Sequence, residues 1–247
     1  MKRARPIGYG EEEPSPDSVV RNEAIWSGVA PTQQARSEAT FHALIRAGRQ
    51  ALESKGFDEM TIAGLAEAAG VSVGAFYGRF ENKQAYFAAI QKIVVAEIEA
   101  NVRQEVDALD GKRVDAVGFL AALARIWVGF FRANRGLYLA AFKHSTTQPG
   151  VWTPFKQLGW NMAALIVERL LPRLESLGKT DTELEIRIAM QFMNGMLVNA
   201  TINDPGPIHL DGPEMEQNIT RFLCSFFGLE LPGKIPRQRA RRGGGKR

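Results

Sequence analysis

The chain has little of what most function classes require. One cysteine in 247 residues rules out an internal disulfide framework and a cysteine-based zinc site. The three histidines, His42, His144 and His209, are scattered, and none stands in an H-x-x-x-H spacing that could grip a catalytic metal. No Gly-rich phosphate loop is present, and no run approaches the roughly 18 consecutive apolar residues of a membrane helix. The opening stretch MKRARPIGYGEEEPSP carries charge but no apolar h-region, so a secretory signal is not expected. Alternating apolar and polar residues are nearly absent, which removes strands and leaves an all-α fold. Together these absences weigh against an enzyme. The expected setting is cytoplasmic, with no membrane contact, no cofactor and no metal.

What charge there is sits unevenly. The chain carries 31 Lys and Arg against 27 Asp and Glu, a net of +4. Residues 232–247 hold seven of those cations and no acid, so the remainder has 24 basic and 27 acidic residues and a net of −3. The basic balance therefore belongs to a tail, and residues 231–247 are expected to be disordered. Residues 1–33 are rich in Pro, Gly and polar groups, lack any periodicity, and are read as a disordered leader. Lys2, Arg3 and Arg5 on that leader are placed to reach a DNA groove as flexible arms do, although a solubilising terminus explains them equally well.

From Gln34 the pattern becomes helical. Phe41, Leu44, Ile45, Gly48 and Leu52 recur at helical spacing, and Gly56 follows as a stop signal. Two short helices are expected at about 61–69 and 72–79. Asn82 should cap a long helix with Tyr86, Phe87, Ile90, Ile93, Val94 and Ile98 along one side, closed by Gly111. Further segments fall at about 113–133, 135–146, 151–177 and 181–202, with a last helix at 213–228. Pro172 should kink or shorten the third of these. About nine helices result.

The segment Thr61 to Phe87 carries the most information. Two short helices joined by a tight Ala-Gly-Val-Ser turn form a helix-turn-helix, whose second helix enters the major groove of DNA. Thr61 can cap the first helix, and Gly70 supplies the positive φ of its C-terminus. Val71 plugs the core, and Ser72 can cap the second helix. Phe76 and Phe80 should point inward, leaving Val73, Ala75, Tyr77 and Arg79 near the outside. Tyr77 offers a hydroxyl to phosphate, and Arg79 a charged fork to phosphate or a guanine edge. Val73 or Ala75 can sit against a thymine methyl. Lys83 lies in the first turn of the next helix, where backbone N–H groups also favour phosphate. Three packed helices with a surface Tyr and Arg are the competing reading.

The fuller string Gly56-Phe57, Thr61, Ala66, Ala69-Gly70-Val71-Ser72, Gly74, Phe76-Tyr77, Phe80 and Asn82-Lys83 closely resembles the DNA-binding domain of the tetracycline-repressor (TetR) family. The resemblance covers about 34–90; the rest of the chain is similar only in size and helical organisation. It implies a bacterial, obligate homodimer that binds a palindromic operator in double-stranded DNA through a recognition helix at 72–79. It also implies phosphate contacts by Thr61, Tyr77 and Lys83, a small-molecule effector in the C-terminal half, and repression as the default. On that basis the DNA-binding domain spans 34–82, and an effector-binding and dimerisation domain spans 83–230. Two positions depart from the family's common pattern: Val73 replaces a frequent basic residue, and Gly78 a larger or basic one. Fewer charged side chains then reach the groove.

Residues 113–177 are rich in aromatics. Trp127, Phe131, His144, Trp152 and Trp160 lie near helix breaks or beside polar groups and are the preferred lining of an effector pocket. Aromatics at helical spacing also serve as ordinary core. The last two long helices carry apolar stripes, Leu184, Ile188, Phe192 and Met196, then Met215, Ile219, Phe222 and Phe226, that exceed what a terminal helix pair needs. By resemblance, Ile188, Phe192, Met196, Ile219, Phe222 and Phe226 form a four-helix dimer interface; an intramolecular core would claim some of them. The rival classes are a helical partner-binding scaffold and a non-catalytic ligand-binding protein, neither of which needs Ser72, Tyr77 and Lys83 at these spacings.

Overall fold

Helix starts and stops in this chain follow its capping chemistry closely. The computed structural model describes residues 31–112, 114–180 and 183–231. The basic arm at residues 2–5, most of the leader, and the tail from 232 lie outside the described residues. The elements are α1 (Pro31–Ser54), α2 (Gly56–Glu59), α3 (Ile62–Ala69), α4 (Val73–Tyr77), α5 (Lys83–Gly111), α6 (Ala116–Ala133), α7 (Arg135–Ser145), a 3-10 turn (Pro149–Trp152), α8 (Thr153–Glu175), α9 (Glu183–Ile202) and α10 (Met215–Phe226). No strand occurs among the described residues. The all-α expectation therefore holds, and an N-terminal helix-turn-helix domain is followed by a helical C-terminal region.

The boundaries differ from expectation in instructive places. α1 begins at Pro31, three residues before Gln34, because proline is well suited to the first turn of a helix. Gly56, at φ +78°, ends one helix and opens another. The four-residue α2 is the tenth α-helix, and it is too short for any periodicity to reveal. Pro172 does not end α8, which continues to Glu175. By length and composition α6 is apolar enough to cross a membrane, contrary to the expectation that no segment approaches this. Half of it is buried within the protein, and its Arg132 holds the carbonyls of Leu210 and Gly212 and the Glu216 carboxylate, so it is a core helix.

The N-terminal core is built where α1, α3 and α4 meet the start of α5. Leu44, Phe76, Tyr86 and Ile90 are fully buried there. The Tyr86 hydroxyl donates to the Leu44 carbonyl at 2.5 Å, and burial pushes its phenol pKa up. The ring lies directly over Gly48, where a Cβ would stand 2.1 Å from the phenol oxygen. Glycine is required at this crossing by close approach.

α5 joins the two halves and is tied at both ends. Near its start the Asn82 side chain accepts the Ala85 N–H at 2.8 Å. At its far end Arg169 and Arg173 of α8 reach Asp107 and Asp110 at 2.9 and 2.5 Å. A second join runs from α1 to α7. The Gly136 N–H donates to both oxygens of Glu53 at 3.0 Å, and a Cβ at Gly136 would meet the Leu52 carbonyl oxygen at 2.3 Å. Beyond it, α6 packs on α10, and α8 packs on both α5 and α9.

Candidate DNA-reading surface and effector cavity

The reading helix is held from beneath. The Thr61 hydroxyl oxygen accepts the Gly64 N–H at 3.1 Å and opens α3, and Gly70 closes it in the left-handed conformation at φ +66°. Ser72 accepts the Ala75 N–H at 3.1 Å and opens α4. α4 stops at Tyr77, two residues short of the expected 72–79 span, where the Arg79 N–H shifts to the Phe76 carbonyl three residues back. Phe76 is fully buried and sits 5.3 Å from Phe80 and 5.1 Å from Tyr86 between ring centroids. That cluster fixes which face of α4 looks outward. Tyr77 and Val73 are 55% and 43% exposed, while Ala75 is half-buried.

Two expected DNA contacts are placed otherwise. Arg79 is turned inward: its guanidinium donates to the Ala75 carbonyl at 3.0 Å and to the Ser37 carbonyl and hydroxyl at 3.1 Å each. Helix α4 ends before Arg79, so its side chain folds back onto α1 and is no open fork. Lys83 donates to the Phe57, Asp58 and Met60 carbonyls at 3.0, 3.3 and 3.0 Å, with its ammonium over the Phe57 ring. The Phe57 carbonyl also accepts the Met60 N–H at 3.3 Å, and Lys83 gathers it with the Asp58 and Met60 carbonyls at the end of α2.

In the C-terminal region a cavity of about 670 Å³ lies between α5, α6, α7, α8 and α9. Trp127, Phe131, Trp152 and Trp160 line it. His144 does not. It packs edge-on against Phe57 at 4.4 Å, with Nε2 3.5 Å from Asp58, because α7 turns its C-terminal end toward α2. There Lys143 also pairs with Asp58, and that hydrogen bond is the main reason the Asp58 carboxyl is held below its ordinary value. The cavity also has polar lining that the aromatic pattern did not disclose: Lys156, Arg187, Gln191 and Asn194. The last three recur at helical spacing on α9, and that spacing is the signal that could have found them. Trp127 Nε1–H donates to Asn194 Oδ1 at 2.9 Å.

The outer faces of α9 and α10 divide the expected interface residues. Phe192, Phe222 and Phe226 are exposed at 59, 38 and 37%, with Leu184 at 64%. Phe192 and Phe222 meet edge-to-face at 6.1 Å. Ile188 and Met196 are half-buried. Ile219 is fully buried, because that side of α10 lies on α6, so it belongs to the protomer's own core and to no outer surface.

A helix-turn-helix with a locked inner face and an exposed tyrosine, set on a helical body with a cavity, has the layout of a DNA-binding regulator. Residues 44–90 match the family model of bacterial regulatory proteins, tetR family. A search of curated proteins finds no match. Among solved structures, a Mesorhizobium loti protein described as a TetR-family regulator is 19% identical, with 78% of this chain and 97% of that one covered and a TM-score of 0.64. A bacterial regulatory protein in the tetR family from Rhodococcus RHA1 is 15% identical, with coverage of 78% and 98% and a TM-score of 0.57. The fatty acid degradation regulator FadR from Bacillus halodurans is 16% identical, with coverage of 77% and 100% and a TM-score of 0.56. These likenesses speak for the fold. Residues 44–90 thus carry the DNA-binding domain of that family, and the helical body that follows shares the fold of these structures.

Proposed function

We propose that the protein is a homodimeric repressor that binds a palindromic operator through the turn and helix at 72–79 and leaves it when a small molecule occupies the cavity. In this reading residues 34–82 bind DNA and residues 83–230 hold the effector and the partner. The observation that carries it is the exposure of Tyr77 and Val73 on a helix whose opposite side is locked by Phe76. Tyr77 donates to a phosphate and Val73 meets a thymine methyl, with Ala75 beside it. Thr61 and Ser72 cap with their oxygens and keep hydroxyl hydrogens to donate to phosphate. Arg79 and Lys83 support this surface from behind. Leu184, Phe192, Phe222 and Phe226 form the centre of the dimer contact, with Ile188 and Met196 at its inner edge. Two copies then set two reading helices for half-sites about one DNA turn, ~34 Å, apart.

Selection of bound sequences from random duplex DNA by the full-length protein should return a palindrome. Tyr77→Ala should weaken binding to it by about ten-fold, the order of a lost phosphate or base contact of ~1–2 kcal/mol. Its thermal midpoint should stay that of the parent, since the side chain is exposed. Equal operator affinity for parent and variant would remove α4 as the reading element.

A further inference from the structure

The charge inventory of the cavity is one-sided. Among the described residues no Asp, Glu or His lines it; the ionised side chains that do are Lys156 on α8 and Arg187 on α9. Lys156 is exposed at the mouth and makes no ion pair or hydrogen bond with another described residue. Arg187 engages Glu183 through Nε and Nη2 at 2.8 and 2.7 Å, which leaves its Nη1 side open. Asn194 is oriented by the Trp127 indole, whose N–H occupies Oδ1, so its amide N–H groups remain as donors. Cations and donors are thus presented along one edge, where α8 faces α9.

The opposite wall is flat and apolar. The Phe131 and Tyr138 rings stack at 4.5 Å with a 6° interplanar angle, and Phe155 continues the tier 4.7 Å from Tyr138. Burial pushes the Tyr138 phenol up and keeps it neutral, so this wall contributes no negative charge. Aromatic cages of this kind also hold quaternary ammonium groups. Here such a cation would face Lys156, and Arg187 whose charge Glu183 answers from one side, while a neutral guest would leave the charged donors of Lys156 and Arg187 unused.

Resting on the effector reading above, we propose that the cavity is a site for a planar aromatic monoanion, a carboxylate on a two- or three-ring body, with the rings against Phe131, Tyr138 and Phe155 and the carboxylate toward Lys156, Arg187 and Asn194. A volume of about 670 Å³ suits such a guest, since small-molecule sites span roughly 300–1,000 Å³.

Three probes with one body test this on the full-length protein: 2-naphthoxyacetate, 2-(2-naphthyloxy)ethanol and 2-(2-naphthyloxy)ethyl-trimethylammonium, titrated by calorimetry. The carboxylate should bind about ten-fold or more tightly than either other probe, as charge-assisted hydrogen bonds allow. Lys156→Ala with Arg187→Ala should bring the carboxylate to the alcohol's affinity while leaving the alcohol within about two-fold. Gly195→Leu should weaken all three, since a Cβ there meets nothing within 4 Å and the side chain projects into the cavity it lines. A preference for the alcohol or the ammonium, or a carboxylate preference that survives the double variant, overturns the anion class and leaves the effector site standing. No binding to the parent, or binding indifferent to Gly195→Leu, overturns both. Tight carboxylate binding that leaves operator affinity unchanged supports the anion class and overturns the effector role.

Discussion

In the DNA-reading unit Arg79 and Lys83 commit their N–H groups to the protein itself, three hydrogen bonds each, to Ser37 and Ala75 in one case and to the end of α2 in the other. At the cavity Lys156 is exposed with no described partner, and Arg187 is engaged on one side by Glu183. The region proposed to bind a polyanion thus uses its cations as structure, while the region proposed to bind a small molecule holds cations in reserve. Under the proposed function, a sparse groove-facing surface predicts that DNA affinity depends on pairing two copies, with the coupling between protomers carrying more of the binding than any one side chain.

That comparison can be broken most decisively at the protomer contact. Phe192→Glu with Phe222→Glu should yield monomers by analytical ultracentrifugation and weaken binding to a palindrome by about 10²–10⁴-fold, the factor that linking two binding modules supplies. A dimeric double variant that still binds would move the interface elsewhere. Arg79→Ala comes next: losing its hydrogen bonds to Ser37 and Ala75 should cost about 2–3 kcal/mol of stability, near 1 kcal/mol for each, read as a lower urea midpoint. The salt dependence of its DNA binding should keep the parent's slope. A slope shallower by about one unit would mean that Arg79 reaches a phosphate after all.

The smallest effect is expected at the α2–α7 contact. Asp58 is held below its ordinary value chiefly by its hydrogen bond from Lys143. A depressed carboxylate contributes stability above its unfolded value, about 3.9, and loses that contribution as pH falls through the lower folded value. Asp58→Asn should therefore lower the thermal midpoint slightly and by a constant amount at neutral pH, with the difference closing below about pH 4. A gap that persists in acid would assign the contact to shape, with charge playing no part.

Most of the fold was legible because it is written in local chemistry. Thr61, Ser72, Asn82 and Gly70 each act at the helix ends where their residue types predict, since a cap depends on residues three positions away. Phe76 and Phe80 were assigned inward by periodicity alone. The misplacements share a cause. Arg79 reaches Ser37 across 42 positions and Lys83 reaches Phe57 across 26, so their partners lie outside any local window. His144 was drawn to the aromatics near it in sequence, whereas its neighbour in space is Phe57. Ile219 shares the apolar character of Phe222, and only the docking of α10 on α6 separates the two. The polar edge of the cavity was missed because Arg187, Gln191 and Asn194 look like any solvated helix face until α8 is placed beside them.

The seat of Gly136 on the backbone of Leu52 has a mechanical meaning. With the Asp58 contacts of Lys143 and His144 further along the same helix, it gives the reading unit a second attachment to the helical body, made through α7 and separate from the start of α5. Two rigid bodies fastened at two separated points retain one easy rotation, about the line through both. Any swing of the reading helix that preserves both fastenings is then a rocking motion with a fixed axis. A side chain at position 136 would force the seat on Leu52 open and leave the α7 fastening to the Asp58 contacts alone.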